Sequence, residues 1–212
     1  MSGEASGEVS KESEEPSKPQ LFMRQPDLSG LPAAPALAPG YVLRPAVPAD
    51  HAELADLLSE AFGDTWDAER VAGEFSPGNG VDVIYVVAAP AGVVATAAAR
   101  QLPDRFPDAG YVHYVGARFS ERGKQLGEVV TRRVLAHFAA AGLAQAVLET
   151  DDFRLPAIWT YLRLGFVPEP RVPGDVVRWS RVLRNLAARP TRKTAADPGS
   201  AQPSGTAAGA RS

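Results

Sequence analysis

Apolar positions along the chain follow two periods, and each change of period marks a change of element. Leu54, Leu57, Leu58, Ala61 and Phe62 fall at i, i+3, i+4, i+7 and i+8, the stripe of an amphipathic helix that Gly63 would close. Asp50 with Glu53 three residues on reads as its N-cap and capping box. A short strand pattern precedes it at 41–47, and a shorter helical pattern follows at 66–75. After Pro77-Gly78-Asn79-Gly80 the period drops to that of strands, over 82–88 and 93–101, with Ala89-Pro90-Ala91-Gly92 as the hairpin between them. Residues 110–117 form a third such run, rich in aromatic and β-branched side chains. Leu126, Val130, Val134, Phe138 and Ala141 then restore a helical stripe ending at Gly142. A strand is predicted over 144–150, a helix with Pro156 in its first turn and Gly165 at its end, and closing strands over 166–169 and 176–183. Strand, helix, strand, helix, strand in the second half predicts a mixed α/β sheet with crossover helices.

Composition sets the limits of that domain. At 212 residues and 45% hydrophobic content the chain can bury one full core. Residues 1–20 and 187–212 are mostly Ser, Gly, Pro, Ala and charged residues, and are expected to be disordered tails. Between the first tail and the core, residues 21–39 read as a Pro- and Leu-rich extended arm on the domain surface, so that the folded domain would run from 40 to 186. A net charge of −3 offers no basic footprint, which argues against nucleic acid or an anionic membrane as partner. With no run of 18 apolar residues and no signal-peptide pattern, a soluble, cytoplasmic protein is expected. The absence of cysteine removes disulfides, thiolate metal sites and a cysteine nucleophile, and three scattered histidines suggest no metal site.

Chemistry points first to the turn before the helical stripe at 126–141. There Arg122, Gly123, Lys124, Gln125, Leu126 and Gly127 lie where a helix start presents unpaired N–H groups and a positive dipole end. Lys124 is the only lysine between Lys18 and Lys193. The stretch fits neither the Walker phosphate loop nor the Gly-x-Gly-x-x-Gly dinucleotide fingerprint, which disfavours NTP and NAD chemistry. It resembles instead the Arg/Gln-x-x-Gly-x-Gly/Ala signature of the GNAT (general N-acetyltransferase) superfamily. A second segment, Ala157-Ile158-Trp159-Thr160-Tyr161-Leu162-Arg163-Leu164-Gly165-Phe166, is similar to that family's Ala-Ile-x-x-Tyr-x-x-Leu-Gly-Phe motif. The two motifs are in register with the predicted order of elements, and the resemblance covers about 41–183.

The resemblance implies an α/β fold with a mixed, mostly antiparallel sheet, a splayed parallel strand pair and flanking helices. It implies acetyl-CoA as cosubstrate, its pyrophosphate on the amides of residues 122–127 and its pantetheine pairing with backbone near Val115 and Ala117. Three residues depart from the pattern, one of them Phe119, which stands where members often have a proline. Gln125 stands at the family's first glycine, which would matter if that position required φ > 0, and Arg154 replaces an asparagine common among members. Arg154 is accordingly counted among the cofactor-binding residues.

Acetyl transfer to an amine requires a neutral amine, stabilisation of the oxyanion and a proton for the departing thiolate. Tyr161 matches the family's general acid, against the alternative that its ring only packs. His113, on the strand facing the acyl group, could draw the amine's proton or simply hydrogen-bond. Alternation puts Tyr111, His113 and Val115 on one face of that strand. Glu149, Asp151 and Asp152 could attract a cationic amine, although carboxylates before a helix more often cap it or remain solvated. Phe62, Asp64, Thr65 and Trp66 are candidates for the acceptor side. The expected partner is a small-molecule or peptide amine; the alternative is a non-catalytic module of the same fold that binds CoA or a protein.

Overall fold

A computed structural model describes residues 19–188. The expected tails, 1–20 and 187–212, fall almost wholly outside these residues. Seven strands make one sheet: β1 (Leu21–Gln25), β2 (Val42–Pro45), β3 (Val81–Ala89), β4 (Gly92–Gln101), β5 (Ala109–Ala117), β6 (Gln145–Thr150) and β7 (Val167–Pro168). Their spatial order is β2-β3-β4-β5-β6-β1-β7, antiparallel at every junction except the parallel pair β5–β6.

Helices cover both faces. On one side α1 (His51–Phe62) and α2 (Ala68–Glu74) bury Leu54, Leu57, Leu58 and Val71 against Val86, Val93 and Ala98. On the other, α3 (Leu126–Ala140) lays Leu126, Val130, Val134 and Phe138 onto Ala95, Ala97, Ala99 and Val112, with α4 (Leu155–Arg163) and α5 (Pro173–Ala187) beyond it. The alanines of β4 let helices approach closely from both sides. At Gly110 the approach is closer still: a Cβ there would lie 2.3 Å from the Phe138 ring, so α3 seats on β5 only because that residue has no side chain.

Two expectations are overturned. The surface arm begins with a central strand: Leu21 and Met23 are 0% exposed, and β1 pairs along its whole length with β6, from Leu21↔Thr150 to Gln25↔Ala146, and with β7 on its other edge. The surrounding prolines obscured a five-residue apolar strand that the sheet needs. Only the rest of the arm lies over the domain, with Leu28, Leu31 and Leu37 packed on the α3-side core. Conversely, the closing strand predicted over 176–183 is part of α5. Asp175, Trp179, Val182 and Leu186 are its buried positions, spaced i, i+4, i+7 and i+11. The adjacent valines disguised that period, while Pro173 in the first turn and Asp175, whose carboxylate accepts the Arg171 and Val172 amides at 3.0 and 3.2 Å, start the helix. The capping box expected before α1 also differs. Asp50 takes the Val47 amide and both Arg44 amino groups, whereas Glu53 accepts the Val93 amide at 2.6 Å and ties α1 to β4.

Because β1 is interior, shortening its side chains should behave as a core truncation. Met23→Ala is expected to lower unfolding stability by about 2–5 kcal/mol in urea titration; a change within error would mean that the segment is the surface arm after all.

Candidate functional site

The site begins where two strands separate. β5 and β6 pair through Ala109↔Gln145, Gly110↔Ala146 and Tyr111↔Val147, and the pairing stops there although both strands continue. β5 stays with β4 and β6 with β1, so a wedge opens between them. A bulge sharpens the parting: Tyr114 and Val115 lie opposite the single residue Ala97, and Tyr114 has φ +46°. The extra residue reverses the alternation expected from the sequence. Val115 now joins Val112 on the α3 side, while Tyr114 packs with Phe62, Trp66 and Phe75 on the α1–α2 side. In the wedge is a cavity of about 320 Å³, lined among others by Val112, His113, Val115, Glu149, Arg154 and Tyr161.

Tyr161 reaches this cavity from α4. It is 6% exposed, its ring packs against Phe166 at 5.8 Å, and its hydroxyl has no hydrogen-bond partner among the described residues. Burial pushes its phenol up to about 12, so it keeps its proton through the whole neutral range. His113 moves the other way. Burial, with the Arg100 guanidinium adding to it, brings its imidazole down from 6.5 to about 4, so it is neutral at pH 7. Its Nε2 lies 3.5 Å from Arg100 Nη1 and 3.7 Å from a Glu74 carboxylate oxygen.

Glu149 is neither a cap nor a solvated loop charge. It accepts the Tyr111 hydroxyl at 2.8 Å and Arg105 at 3.1 Å, and it faces the cavity. Arg154 lines the cavity: Nε donates to Asp151 at 3.1 Å, Nη2 to the Ala61 carbonyl at 3.5 Å, and the guanidinium lies 4.5 Å from the Phe62 ring centroid. Of the acceptor-side candidates, Phe62 and Asp64 line the cavity; Trp66 is core. Asp152 is bound by Arg178 of α5. Gln20, Tyr111 and Tyr114 also line the cavity and were not picked out from the sequence; the pattern to look for was a strand aimed at the same end as 144–150.

A second feature lies at the start of α3. The helix begins at Leu126, not at Arg122; residues 122–125 are a loop with Gly123 at φ +88° and Gln125 at φ +59°. Two of the six amides are used within that loop, Arg122 by the Phe119 carbonyl and Lys124 by that of Glu121, both at 3.3 Å. Among the described residues no acceptor binds the amides of Gly123, Gln125, Leu126 or Gly127, and a Cβ at Gly127 would meet nothing within 4 Å. Four open donors thus stand at the positive end of a 15-residue helix. The Lys124 ammonium is turned elsewhere, bonded to the Tyr41 hydroxyl at 2.7 Å and Glu121 at 2.8 Å. Arg118 supports the loop through Glu60 at 3.1 Å, and the Phe119 amide donates to the same carboxylate. The Arg122 guanidinium lies 4.0 Å over the Phe119 ring.

The model of the Acetyltransferase (GNAT) family matches residues 51–166, more than half of the chain. The chain belongs to the GNAT family. That family uses acetyl-CoA, and the open amides, the parted strand edges and the unpartnered Tyr161 hydroxyl are the features such a ligand would fill. A mycothiol acetyltransferase of Nocardia farcinica is 32% identical over 142 residues, 61% of this chain and 46% of that protein. This chain therefore spans less than half the length of that relative. In fold it is similar to a GCN5-related N-acetyltransferase of Sphaerobacter thermophilus, with a TM-score of 0.55 at 20% identity, over 72% of this chain and 50% of the other. It is also similar to a transcriptional regulator of Bacillus halodurans, with a TM-score of 0.53 at 16% identity, over 62% of this chain and 96% of the other.

The GNAT resemblance thus leads to two places in the structure. Tyr161, His113, Val115 and Arg154 meet at the cavity, whereas Arg122, Gly123, Lys124, Gln125, Leu126 and Gly127 form the loop and helix start. Ala117, the last residue of β5, pairs with Ala95 and does not line the cavity. Among the described residues no group of three or more His, Asp or Glu side chains could hold a metal, and no helix is long and apolar enough to cross a membrane.

Gln125 carries a backbone conformation that glycine adopts without strain, and its side chain caps nothing. Gln125→Gly is expected to raise stability by about 1 kcal/mol and to tighten acetyl-CoA binding, read by denaturant titration and calorimetry; loss of stability would contradict the left-handed assignment.

Proposed function

We propose that this chain transfers the acetyl group of acetyl-CoA to a primary amine by direct attack in a ternary complex, in the cytoplasm as its sequence suggests. The observation that carries this reading is Tyr161, a residue 6% exposed whose hydroxyl has no hydrogen-bond partner among the described residues, in the lining of the cavity in the wedge between β5 and β6. Acetyl-CoA, when bound, supplies a thioester carbonyl that an amine can attack. With no cysteine in the chain, a cysteine acyl-enzyme is ruled out, and transfer occurs in one displacement.

The residues divide the work. The amides of Gly123, Gln125, Leu126 and Gly127 hold the pyrophosphate at the helix N-terminus. The open edge of β5, with Val115 in the bulge, offers backbone groups to the pantetheine and a donor to the carbonyl oxygen, where charge develops. Tyr161 holds a proton at its hydroxyl oxygen and passes it to the departing sulfur. His113, held neutral by burial, receives the amine's proton directly or through water. Arg154, braced by Asp151 and Phe62, forms part of the cavity lining.

Tyr161→Phe tests the assignment, because the lost hydroxyl has no partner among the described residues. Stability and acetyl-CoA affinity should stay within about twofold while CoA release with a reactive amine falls about 10²–10⁴-fold. Tight acetyl-CoA binding with no turnover on any amine, in the native protein, would instead favour the non-catalytic module.

A further inference from the structure

The cavity is lined by four formally charged side chains, three of them carboxylates. Asp151 and Arg154 neutralise each other as an ion pair. Asp64 stands at the rim, its side chain 64% exposed and 3.6 Å from Arg70, where water screens it. Glu149 is the inner carboxylate: its side chain is 24% exposed, it accepts the Tyr111 hydroxyl, and Arg105 pairs with it at 3.1 Å from a side chain 58% exposed, where water screens the pair. His113, beside it in the lining, brings no positive charge at neutral pH.

An anionic wall and amine acetylation are in conflict. The attacking amine must be unprotonated, yet a nearby carboxylate stabilises its ammonium form. The conflict disappears if the carboxylate is matched by another cation on the same molecule, which then lets the reacting nitrogen lose its proton. Tyr161, 6% exposed and with no hydroxyl partner among the described residues, independently marks where the reacting atoms belong, on a different element from Glu149. We infer that the acceptor is a diamine, one nitrogen reacting beside Tyr161 while its second, cationic group is held by Glu149 across the same cavity. This inference rests on the acetyltransferase reading. In the transfer the neutral nitrogen forms the C–N bond, the C–S bond breaks, the nitrogen's surplus proton leaves through His113 or water, and the sulfur receives the Tyr161 proton.

The test uses the full chain with acetyl-CoA and three acceptor sets: 1,3- to 1,5-diaminoalkanes, the matching monoamines and the matching amino acids. CoA release should show kcat/KM at least tenfold higher for the best diamine than for its monoamine, with the amino acid lowest. In Glu149→Gln the diamine-to-monoamine ratio should fall to about one, and in Arg105→Ala, a surface change that leaves Glu149 less neutralised, it should rise. A monoamine or amino acid preference in the native protein, or an unchanged ratio in Glu149→Gln, overturns the inference while leaving the acetyltransferase reading intact. If no amine is acetylated, that reading fails, and calorimetry with the diamines decides the site alone: binding abolished by Glu149→Gln supports it, and no binding overturns it.

Discussion

Everything at the site follows from a parallel pairing that stops after three residues. Beyond Tyr111↔Val147 the edges of β5 and β6 face each other across a gap, and among the described residues no strand pairs there with their backbone groups. A gap of this kind would collapse unless each strand were held from outside. β4 holds β5 along its length, and β1, antiparallel to all of β6 but its first residue, holds β6. The strand that the sequence disguised as a surface arm is therefore half of what keeps the wedge open. Phe138, seated on Gly110 just below the parting, fixes α3 against β5.

Strain is placed where the ligand would be. Among the described residues only two that are not glycine have positive φ: Tyr114 in the bulge and Gln125 at the start of α3. Each conformation costs on the order of 1–3 kcal/mol, and each sits at one of the two parts of the site. Burial adds a second asymmetry. It keeps the Tyr161 phenol protonated and the His113 imidazole unprotonated, so a proton donor and a neutral nitrogen face one cavity at neutral pH.

Much of this was legible in the chain. Helical patterning located α1, α2 and α3, Pro156 and Gly165 bounded α4, and the two short motifs led to the helix start and to Tyr161. Other parts were not, for physical reasons. A single extra residue at Tyr114–Val115 reverses every later side chain of β5, and no composition signal marks a bulge. Leu21–Gln25 reads as linker because prolines surround it, and its partners lie more than 120 residues away. Lys124 looked like a phosphate ligand until Tyr41 and Glu121, 83 and 3 residues off, were found to hold it. Glu149 looked like a cap because its partners, Tyr111 and Arg105, meet it only through the sheet.

The central claim is that one ligand joins the wedge to the start of α3. Amide hydrogen exchange of the full chain with and without acetyl-CoA tests it most directly, because the amides of Gln125, Leu126 and Gly127 have no acceptor among the described residues to slow them. The account predicts slower exchange on addition of acetyl-CoA at Gln125, Leu126 and Gly127 and, together with them, at Val115. Unchanged exchange at the α3 start, or protection there without any at the β5 bulge, would contradict it.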